Sequence, residues 1–519
     1  MEYKTNPIVR VLPSLTDLAF LMPIVFLFTR MEGAKSMLGD GDTGWHILTG
    51  QWILANGRVP HEDIFSYTKA GQPWFAWEWL WDVCFAWLYQ HGGLATVVAV
   101  SIVIICLTIA LLFRLVRRHC KNPFIAIAVT FLACVASSIH WLARPHLVTM
   151  LFTVILLMVL DRAREGRTRW LWALPLFFVL WTNLHGGFLA GLIILAGYAA
   201  GEFASAVFTA NSDDRRTALQ SAARFAVTAF GCALATIVNP YTYHLHAHIY
   251  QFFSEPYHLE NIIEFQSISF HHPVALYLET LLLFGALASA WFVAKRRDFV
   301  PLALIAGWAH LALLSARNIP LFAIVAAPFV AQALYEMLCA LEHAPVVAWL
   351  RRAAIGFRTA ATEFSVTDRQ WRLHFVSVAA VVVVALLITS PNATGKLKPE
   401  YDPERYPAKA LSVLRSDPAS RIFTDDEWGD YLLWAGPKNL HVFVASHAHL
   451  VPTDVWQDYM QVISLRSGWD AILDRYGVNT AVLDPEQQED LVRSLRASDA
   501  WSLGYEDDRS VIFLRRHPN

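Results

Sequence analysis

Two carboxylates and a histidine stand close together in the stretch GDGDTGWHILTGQW, residues 39–52, of a chain that is otherwise strongly apolar. A carboxylate at the edge of a dry cavity serves as a general base when its neighbours set its pKa. We therefore predict that Asp42 is a catalytic base and that Asp40 binds substrate. His46 lies one helical turn after Asp42, where it would hydrogen-bond that carboxylate or the substrate. The alternative role for Asp42 is a helix N-cap.

Two arginines are candidates for binding a phosphate group. Arg144, in LARPH, and Arg317, in ARNIP, both stand at the ends of predicted helices. The guanidinium fork matches the geometry of phosphate oxygens and binds them bidentately. The alternative role for both arginines is a salt bridge to a loop carboxylate.

Other polar side chains stand at the mouths of apolar segments. His146, Asn183 and His185 are predicted to bind substrate, the last two next to the Gly186–Gly187 pair, where backbone could approach a ligand. A simple turn between two helices explains these glycines equally well. Short polar groups such as EFQ, residues 264–266, share the same set of loops. Their accumulation on one side of a membrane favours a site facing a water-filled cavity.

The elements that must position these residues are transmembrane helices. The chain has 519 residues, of which 55% are hydrophobic and only 16% charged, and its net charge of −2 does not favour a nucleic-acid partner. Apolar runs of nearly membrane-spanning length recur up to residue 390. The sequence therefore predicts a polytopic α-helical membrane protein. About eleven spans are predicted, at residues 16–30, 93–116, 123–143, 146–160, 170–183, 187–205, 222–238, 274–294, 300–315, 319–337 and 373–390.

Asp42 is predicted to begin an amphipathic helix on the outer surface of the membrane. The apolar residues Trp45, Leu48 and Trp52 recur at helical spacing, and Asn56–Gly57 is a stop signal. This helix belongs to a large outer loop, residues 31–92, of a transmembrane domain that covers residues 1–390.

The distribution of basic residues predicts the orientation. One set of loops carries most of the arginine and lysine, whereas the other set contains only Lys35, Arg58, Lys69, Arg144 and Arg317. The positive-inside rule makes the first set cytoplasmic, and the N-terminus with it, and places the C-terminal domain outside. This assignment requires the aromatic segment 77–92 to lie at the outer interface without crossing the membrane.

The last part of the chain, residues 391–519, is predicted to be an extracytoplasmic α/β domain. Helical patterns alternate with short β-rich runs, and the cluster Asp425–Glu427 is typical of a helix N-terminus. The domain has no glycine-rich phosphate loop and no nucleophile motif. The predicted helices are 407–415, 428–435, 469–476 and 487–497, and the predicted strands are 421–424, 441–445, 480–483 and 511–514.

Several motifs resemble those of a group of bacterial proteins within the GT-C superfamily of membrane glycosyltransferases. They cover nearly the whole chain: DTGWHILTG at Asp42–Gly50, PHEDIFSYT at Pro60–Thr68, LARPH at Leu142–His146, WTNLHGGF at Trp181–Phe188, NPY at Asn239–Tyr241, RNIPLF at Arg317–Phe322 and WGDYL at Trp428–Leu432.

The resemblance implies a bacterial inner-membrane enzyme. Such an enzyme moves a sugar from a polyprenyl-phosphate donor to an acceptor glycan, lipid or protein on the extracytoplasmic face, and Asp42 matches the first-loop carboxylate of the superfamily. A second acidic residue of the same loop often assists. Asp63 and Glu78 are the catalytic candidates and Glu62 a substrate-binding one. A non-catalytic transporter or flippase of lipid-linked glycans, or an assembly subunit with a degenerate site, is the alternative function.

No tightly bound metal or other cofactor is predicted. Some GT-C members hold a divalent cation between carboxylates, but the second outer loop reads HWLARPH and lacks an acidic pair. The run HLHAH contains His244, His246 and His248, yet on a helix these three side chains would diverge, so a zinc site is not favoured.

Overall fold

The computed structural model describes residues 10–255, 262–368, 372–416, 421–437, 440–445 and 453–516. Helices dominate, and a small sheet lies near the C-terminus. The first nine helices are α1 (Leu15–Arg30), α2 (Asp42–Asn56), α3 (Trp79–His119), α4 (Pro123–Ser137), α5 (His146–Arg164), α6 (Leu174–Leu184), α7 (Phe188–Phe208), α8 (Ser212–Ala235) and α9 (Tyr243–Ser254). The next five are α10 (Ala275–Arg296), α11 (Val300–Leu314), α12 (Ile319–Leu341), α13 (Ala348–Asp368) and α14 (Phe375–Thr389).

Within the described ranges, seven helices are long and apolar enough to cross a membrane, which makes the chain a multi-pass membrane protein. The remaining predicted spans coincide with the shorter helices α1, α6, α11 and α14. Every predicted span is thus a helix, whereas the count of eleven crossings stays a prediction. The seven are Trp79–His119, Pro123–His140, His146–Arg164, Phe188–Phe208, Ser212–Ala235, Ala275–Arg296 and Ala316–Leu341.

Helix α3 is interrupted where the sequence separates an interfacial segment from a span. Gly92 and Gly93 leave helical geometry, and Gly93 has φ 63° and ψ −164°, a conformation that favours glycine because it has no Cβ. The aromatic segment before this break and the apolar segment after it are therefore distinct helical pieces. Their position relative to the membrane stays a prediction.

Helix α2 begins and ends as predicted, with Gly57 as its C-cap. The prediction that α2 is amphipathic, with its polar side facing solvent, is nevertheless wrong. Polar Thr43, His46 and Thr49 are buried along with the apolar side chains. The N-cap alternative for Asp42 is also wrong, since Gly41 occupies the N-cap position and Asp42 is the first helical residue.

The C-terminal region is an α/β unit around a five-stranded mixed sheet of order β2-β1-β3-β5-β4. Strand β1 pairs in parallel with β2 and β3, and β5 pairs antiparallel with β3 and β4. The strands are β1 (Arg421–Thr424), β2 (His441–Val442), β3 (Thr480–Leu483), β4 (Trp501–Glu506) and β5 (Val511–Arg515). The helices are α15 (Leu411–Ser416), α16 (Asp426–Ala435), α17 (Thr453–Ile463), α18 (Trp469–Arg475) and α19 (Glu489–Ala497).

This sheet packs directly on the helical bundle. Because successive strand residues point to opposite faces, Ile422 belongs to the core that is continuous with the bundle, whereas Phe423 belongs to a separate core. The α/β prediction is confirmed, although the predicted strand 441–445 is a strand only at His441–Val442. The sequence missed α9, α13, α17 and β4. Residues 438–439 and 446–452, which border the predicted strand 441–445, lie outside the described residues.

Candidate active site

Loops from three parts of the chain meet around the guanidinium of Arg144. Its Nη1 lies 2.8 Å from Oδ2 of Asp40 and 2.5 Å from Oε1 of Glu264, and its Nη2 lies 2.5 Å from Oδ2 of Asp42. Asp42 is only 5% exposed. The structure thus brings together the predicted residues Asp40, Asp42 and Arg144. Arg144 therefore has the alternative role given above, because it forms salt bridges to loop carboxylates.

Backbone contacts explain why Arg144 points at these carboxylates. The N–H of Ala143 donates to the carbonyl of Met37 at 2.7 Å, and the hydroxyl of Thr43 donates to the carbonyl of Ala143 at 3.1 Å. Pro145 then fixes the start of α5. The segment before α5 is therefore fastened to the residues that flank Asp40 and Asp42.

Burial changes the acidity of the carboxyl groups in this cluster. It raises the pKa of Asp40 to about 7, against the opposing effect of Arg144. Burial also acts to raise the pKa of Glu264, but Arg144, His140 and Arg317 outweigh it and hold that pKa well below its usual range. Glu264 is therefore an anion, whereas Asp40 titrates near neutral pH.

Glu78 lies at the start of α3, close enough to interact electrostatically with the cluster. Burial raises its pKa to about 7, although a hydrogen bond from the Gly186 backbone and the charges of Arg144 and Arg317 oppose this rise. The structure thus places this predicted catalytic residue beside the same arginines that act on Asp42. Its carboxyl group changes charge in the physiological pH range.

Arg317 is the less neutralised of the two arginines. Its guanidinium lies 4.8 Å from the centre of the Phe265 ring, and no described residue forms an ion pair or hydrogen bond with its side chain. Glu264 and Glu78 act on it electrostatically. A half-buried guanidinium with free donors is suited to an anionic ligand group.

His185 and His146 lie at the edge of the cluster. The N–H of Gly187 donates to Nδ1 of His185 at 3.1 Å, so the ring proton of neutral His185 is on Nε2. Burial, Arg317 and Arg144 lower the pKa of His185 well below its usual value, which keeps the ring neutral. His146 is bound through Nε2 to the carbonyl of His140 at 2.6 Å.

Asn183 has its side-chain groups occupied by neighbouring helices. Its Oδ1 accepts from the indole N–H of Trp79 at 2.7 Å, and its Nδ2 donates to the carbonyl of Val238 at 2.8 Å. These bonds connect three segments of the bundle. The predicted contact of Asn183 with substrate therefore stays a prediction, and its observed bonds are structural.

The structure does not bring Asp63, Glu62 or His46 to Arg144. Asp63 accepts from the Phe65 and Ser66 backbone N–H groups at 2.8 and 3.1 Å, which closes a local turn, and Glu62 is exposed. His46 hydrogen-bonds through Nδ1 to the carboxylate of Asp82 at 2.7 Å, so the acid beside it is Asp82 and not Asp42.

Metal ligands are not gathered here. Asp40, Asp42 and Glu264 converge on Arg144, and the described ranges contain no group of three or more His, Cys, Asp or Glu side chains arranged to hold a metal ion. The histidines of HLHAH lie on α9, where His246 bonds to Thr236 and His248 to Trp77. The absence of a tightly bound metal stays a prediction.

The C-terminal region lies directly against the loop that carries Asp40 and Asp42. A Cβ at Gly41 would lie 2.6 Å from the carbonyl oxygen of Glu427 and 2.7 Å from Cβ of Asp430. The hydroxyl of Tyr401 donates to the carbonyl of Gly41 at 3.2 Å. The sequence patterns do not identify Glu264 and Glu427 as neighbours of the site, although Glu264 belongs to the polar loop segment EFQ.

No protein-family model matches the chain, and no curated protein matches it in sequence. Its structure is similar to the crystal structure of the Archaeoglobus fulgidus oligosaccharyltransferase in complex with Zn and sulfate. The TM-score is 0.51 at 14% sequence identity, over 97% of this chain and 73% of that one. It is also similar to ArnT from Cupriavidus metallidurans bound to undecaprenyl phosphate, with a TM-score of 0.45 at 15% identity, over 96% of both chains.

The likeness to the archaeal oligosaccharyltransferase shows a GT-C-like membrane fold and confirms what the sequence motifs imply about the architecture. At 14% identity it shows the fold alone.

Proposed function

We propose that the protein is a membrane glycosyltransferase that moves a sugar from a polyprenyl-phosphate donor to an acceptor hydroxyl or amide. The observation that carries this proposal is the ion pair of Asp42 with Arg144 in a buried polar cluster on a GT-C-like fold, with Arg317 close enough to interact with Asp42 electrostatically. Sugar transfer from a lipid phosphate needs a base for the nucleophile and cations for the departing phosphate.

Asp42 acts as the base. The acceptor heteroatom forms a bond to C1 of the sugar while the bond between C1 and the phosphate oxygen breaks. The acceptor proton passes to the Asp42 carboxylate, and the electron pair of the broken bond leaves with the carrier phosphate. The hydrogen bond from Arg144 orients the carboxylate for this task.

Arg317 and Arg144 stabilise the leaving phosphate. Arg317 has guanidinium donors without a described partner, so it is the first contact for the donor phosphate. Arg144 already holds three carboxylates, and a phosphate joins it by replacing one of them. Asp40 is the one to leave, because burial raises its pKa to about 7 and protonation weakens its ion pair.

Asp42→Asn tests the proposed chemistry. The purified protein is incubated in lipid with polyprenyl-phosphate sugars, and both transfer and donor binding are measured. We expect transfer to fall by at least ~100-fold, the usual contribution of a general base, while donor binding persists. Asp214→Asn is the matched control, since Asp214 is an exposed carboxylate in the first turn of α8.

Unchanged transfer in Asp42→Asn would overturn the role of Asp42. Donor binding without transfer in the wild type, with release on the opposite side of the vesicle, would instead favour the transporter. The absence of a bound metal is tested separately with a chelator, and loss of transfer that Mg²⁺ or Mn²⁺ restores would contradict that prediction.

A further inference from the structure

The C-terminal sheet has a cavity of about 240 Å³ at the carboxyl ends of its parallel strands, which we call the strand-end cavity. Asp425 follows β1 and Asp484 follows β3, and both line it. Strand β1 lies between β2 and β3, so the chain passes first to one side of β1 and later to the other. Such a switch point is where open α/β sheets bind ligands.

One wall of the strand-end cavity is formed by a buried ion pair. The side chain of Asp484 is 3% exposed, and its Oδ2 lies 2.7 Å from Nη2 of Arg509. Its Oδ1 accepts from the backbone N–H groups of Glu486 and Gln487 at 2.9 and 3.2 Å. The carboxylate is therefore neutralised by a guanidinium and fixed in place.

A second ion pair and an indole also line the cavity. Nη2 of Arg405 donates to Oε1 of Glu427 at 2.6 Å. Arg509 lies over the Trp428 ring, 5.4 Å from its centre. Because Asp484 and Glu427 each have an arginine partner, the cavity offers no bare cation for a phosphate. Asp425 has no described cationic partner, but it caps α16 by accepting from the Glu427 N–H at 3.1 Å, and one such carboxylate is too few to hold a metal ion.

The lining is suited to a neutral ligand with many hydroxyl groups. Guanidinium groups and the Gln487 amide donate hydrogen bonds, and carboxylate oxygens accept them. A volume of about 240 Å³ is smaller than the pockets of about 300–1,000 Å³ that enclose drug-sized ligands. The ligand is therefore about the size of one sugar ring.

The cavity adjoins the candidate active site. Glu427 lines it with its side chain, while its carbonyl oxygen lies against Gly41. We propose that the strand-end cavity binds one neutral sugar unit of the acceptor, so that the acceptor is a carbohydrate whose neighbouring hydroxyl approaches Asp42. This assignment of the acceptor rests on the proposed transferase function, whereas binding in the cavity does not require transfer.

Saccharide binding by the full-length protein in detergent tests the proposal. Glucose, galactose, mannose and N-acetylglucosamine are titrated separately, and binding is followed by saturation-transfer NMR. Inorganic phosphate and CaCl₂ are titrated in parallel. We expect at least one sugar to bind in the millimolar range. Gln487→Ala and Asp425→Asn are each expected to weaken this binding about fivefold, the effect of one lost hydrogen bond.

Asp499→Asn is the matched control, because Asp499 is an exposed carboxylate of the same region that does not line the cavity. Gln487 is exposed, and an asparagine at 425 still caps α16, so both test variants are expected to fold. Asp42→Asn should bind the sugar as the wild type does, which separates this proposal from the proposed transfer. Binding of phosphate or Ca²⁺ in place of sugars, no sugar binding, or equal affinity in all variants would overturn it.

Discussion

Arg144 is surrounded by more negative charge than it can neutralise. Asp40, Asp42 and Glu264 share one guanidinium, and a buried carboxylate without a full counter-charge is costly. The chain limits this cost in two ways. The raised pKa of Asp40, to about 7, lets that side chain become neutral, and Arg317 adds a second positive charge near Glu264. When Asp40 is neutral, Asp42 and Glu264 are the only carboxylates of the three that the Arg144 guanidinium has to neutralise.

Glu78 makes the stability of the protein depend on pH. Burial raises its pKa from 4.5 to about 7, so between these values the folded chain keeps a proton that the unfolded chain has lost. Stability therefore falls as the pH rises through this range. Glu78→Gln removes the effect. We expect the unfolding temperature of the variant to equal that of the wild type near pH 4.5 and to exceed it by about 2 °C at pH 8.

Thermal unfolding in detergent at both pH values measures this difference. Glu363→Gln is the matched control, because Glu363 lies on the exposed side of α13. This variant should have nearly the unfolding temperature of the wild type at both pH values. If Glu78→Gln destabilises the protein at pH 8, folding favours the charged form of Glu78, and its pKa is lowered and not raised.

At the scale of elements, the contact between α2 and α16 determines where Asp42 lies. Gly41 allows the backbones of the two helices to approach, and a side chain there would strike the Glu427 carbonyl and Asp430. Gly44 faces Trp434 in the same contact. The helix that carries the proposed base is therefore held in place by the C-terminal region.

Gly41→Ala is expected to separate these helices. The added methyl group meets backbone atoms that cannot rotate away, and a displacement of about 1 Å at the base costs on the order of 10²-fold in transfer rate. The rate of transfer and the unfolding temperature should both fall. Gly307→Ala in α11 is the matched control, since its Cβ would meet open space. Equal behaviour of the two variants would contradict the proposed positioning.

The spacing of apolar and capping residues was sufficient to predict most helices and strands. It did not predict which residues of different elements contact one another. The helix α2 and strand β1 agree with the sequence because apolar spacing and capping are properties of neighbouring residues. Glu264 was missed because its partner, Arg144, is 120 positions away, and charge alone does not identify a partner. Asp63 was predicted as catalytic because it lies in a motif, but its carboxylate accepts a hydrogen bond within its own loop and stabilises a turn there.

At the scale of the whole molecule, the orientation in the membrane stays a prediction that reporter fusions test. Fusions at Arg167, between α5 and α6, and at Asp470, in α18, should report opposite sides, because the positive-inside rule places arginine-rich loops in the cytoplasm. A fusion at Asp214 should report the same side as Arg167. Arg167 and Asp470 on one face would show that the number of crossings between them is even, so that a predicted span after α5 does not cross the membrane.

The packing of α16 against Gly41 also has a consequence for biosynthesis. The Asp42 loop leaves the ribosome early, whereas the segment that supports it is made only after the last apolar helix has been inserted. A nascent or truncated chain therefore lacks the support that positions its carboxylate. The proposed transfer activity would therefore arise only after the C-terminal region has been made and has packed against Gly41.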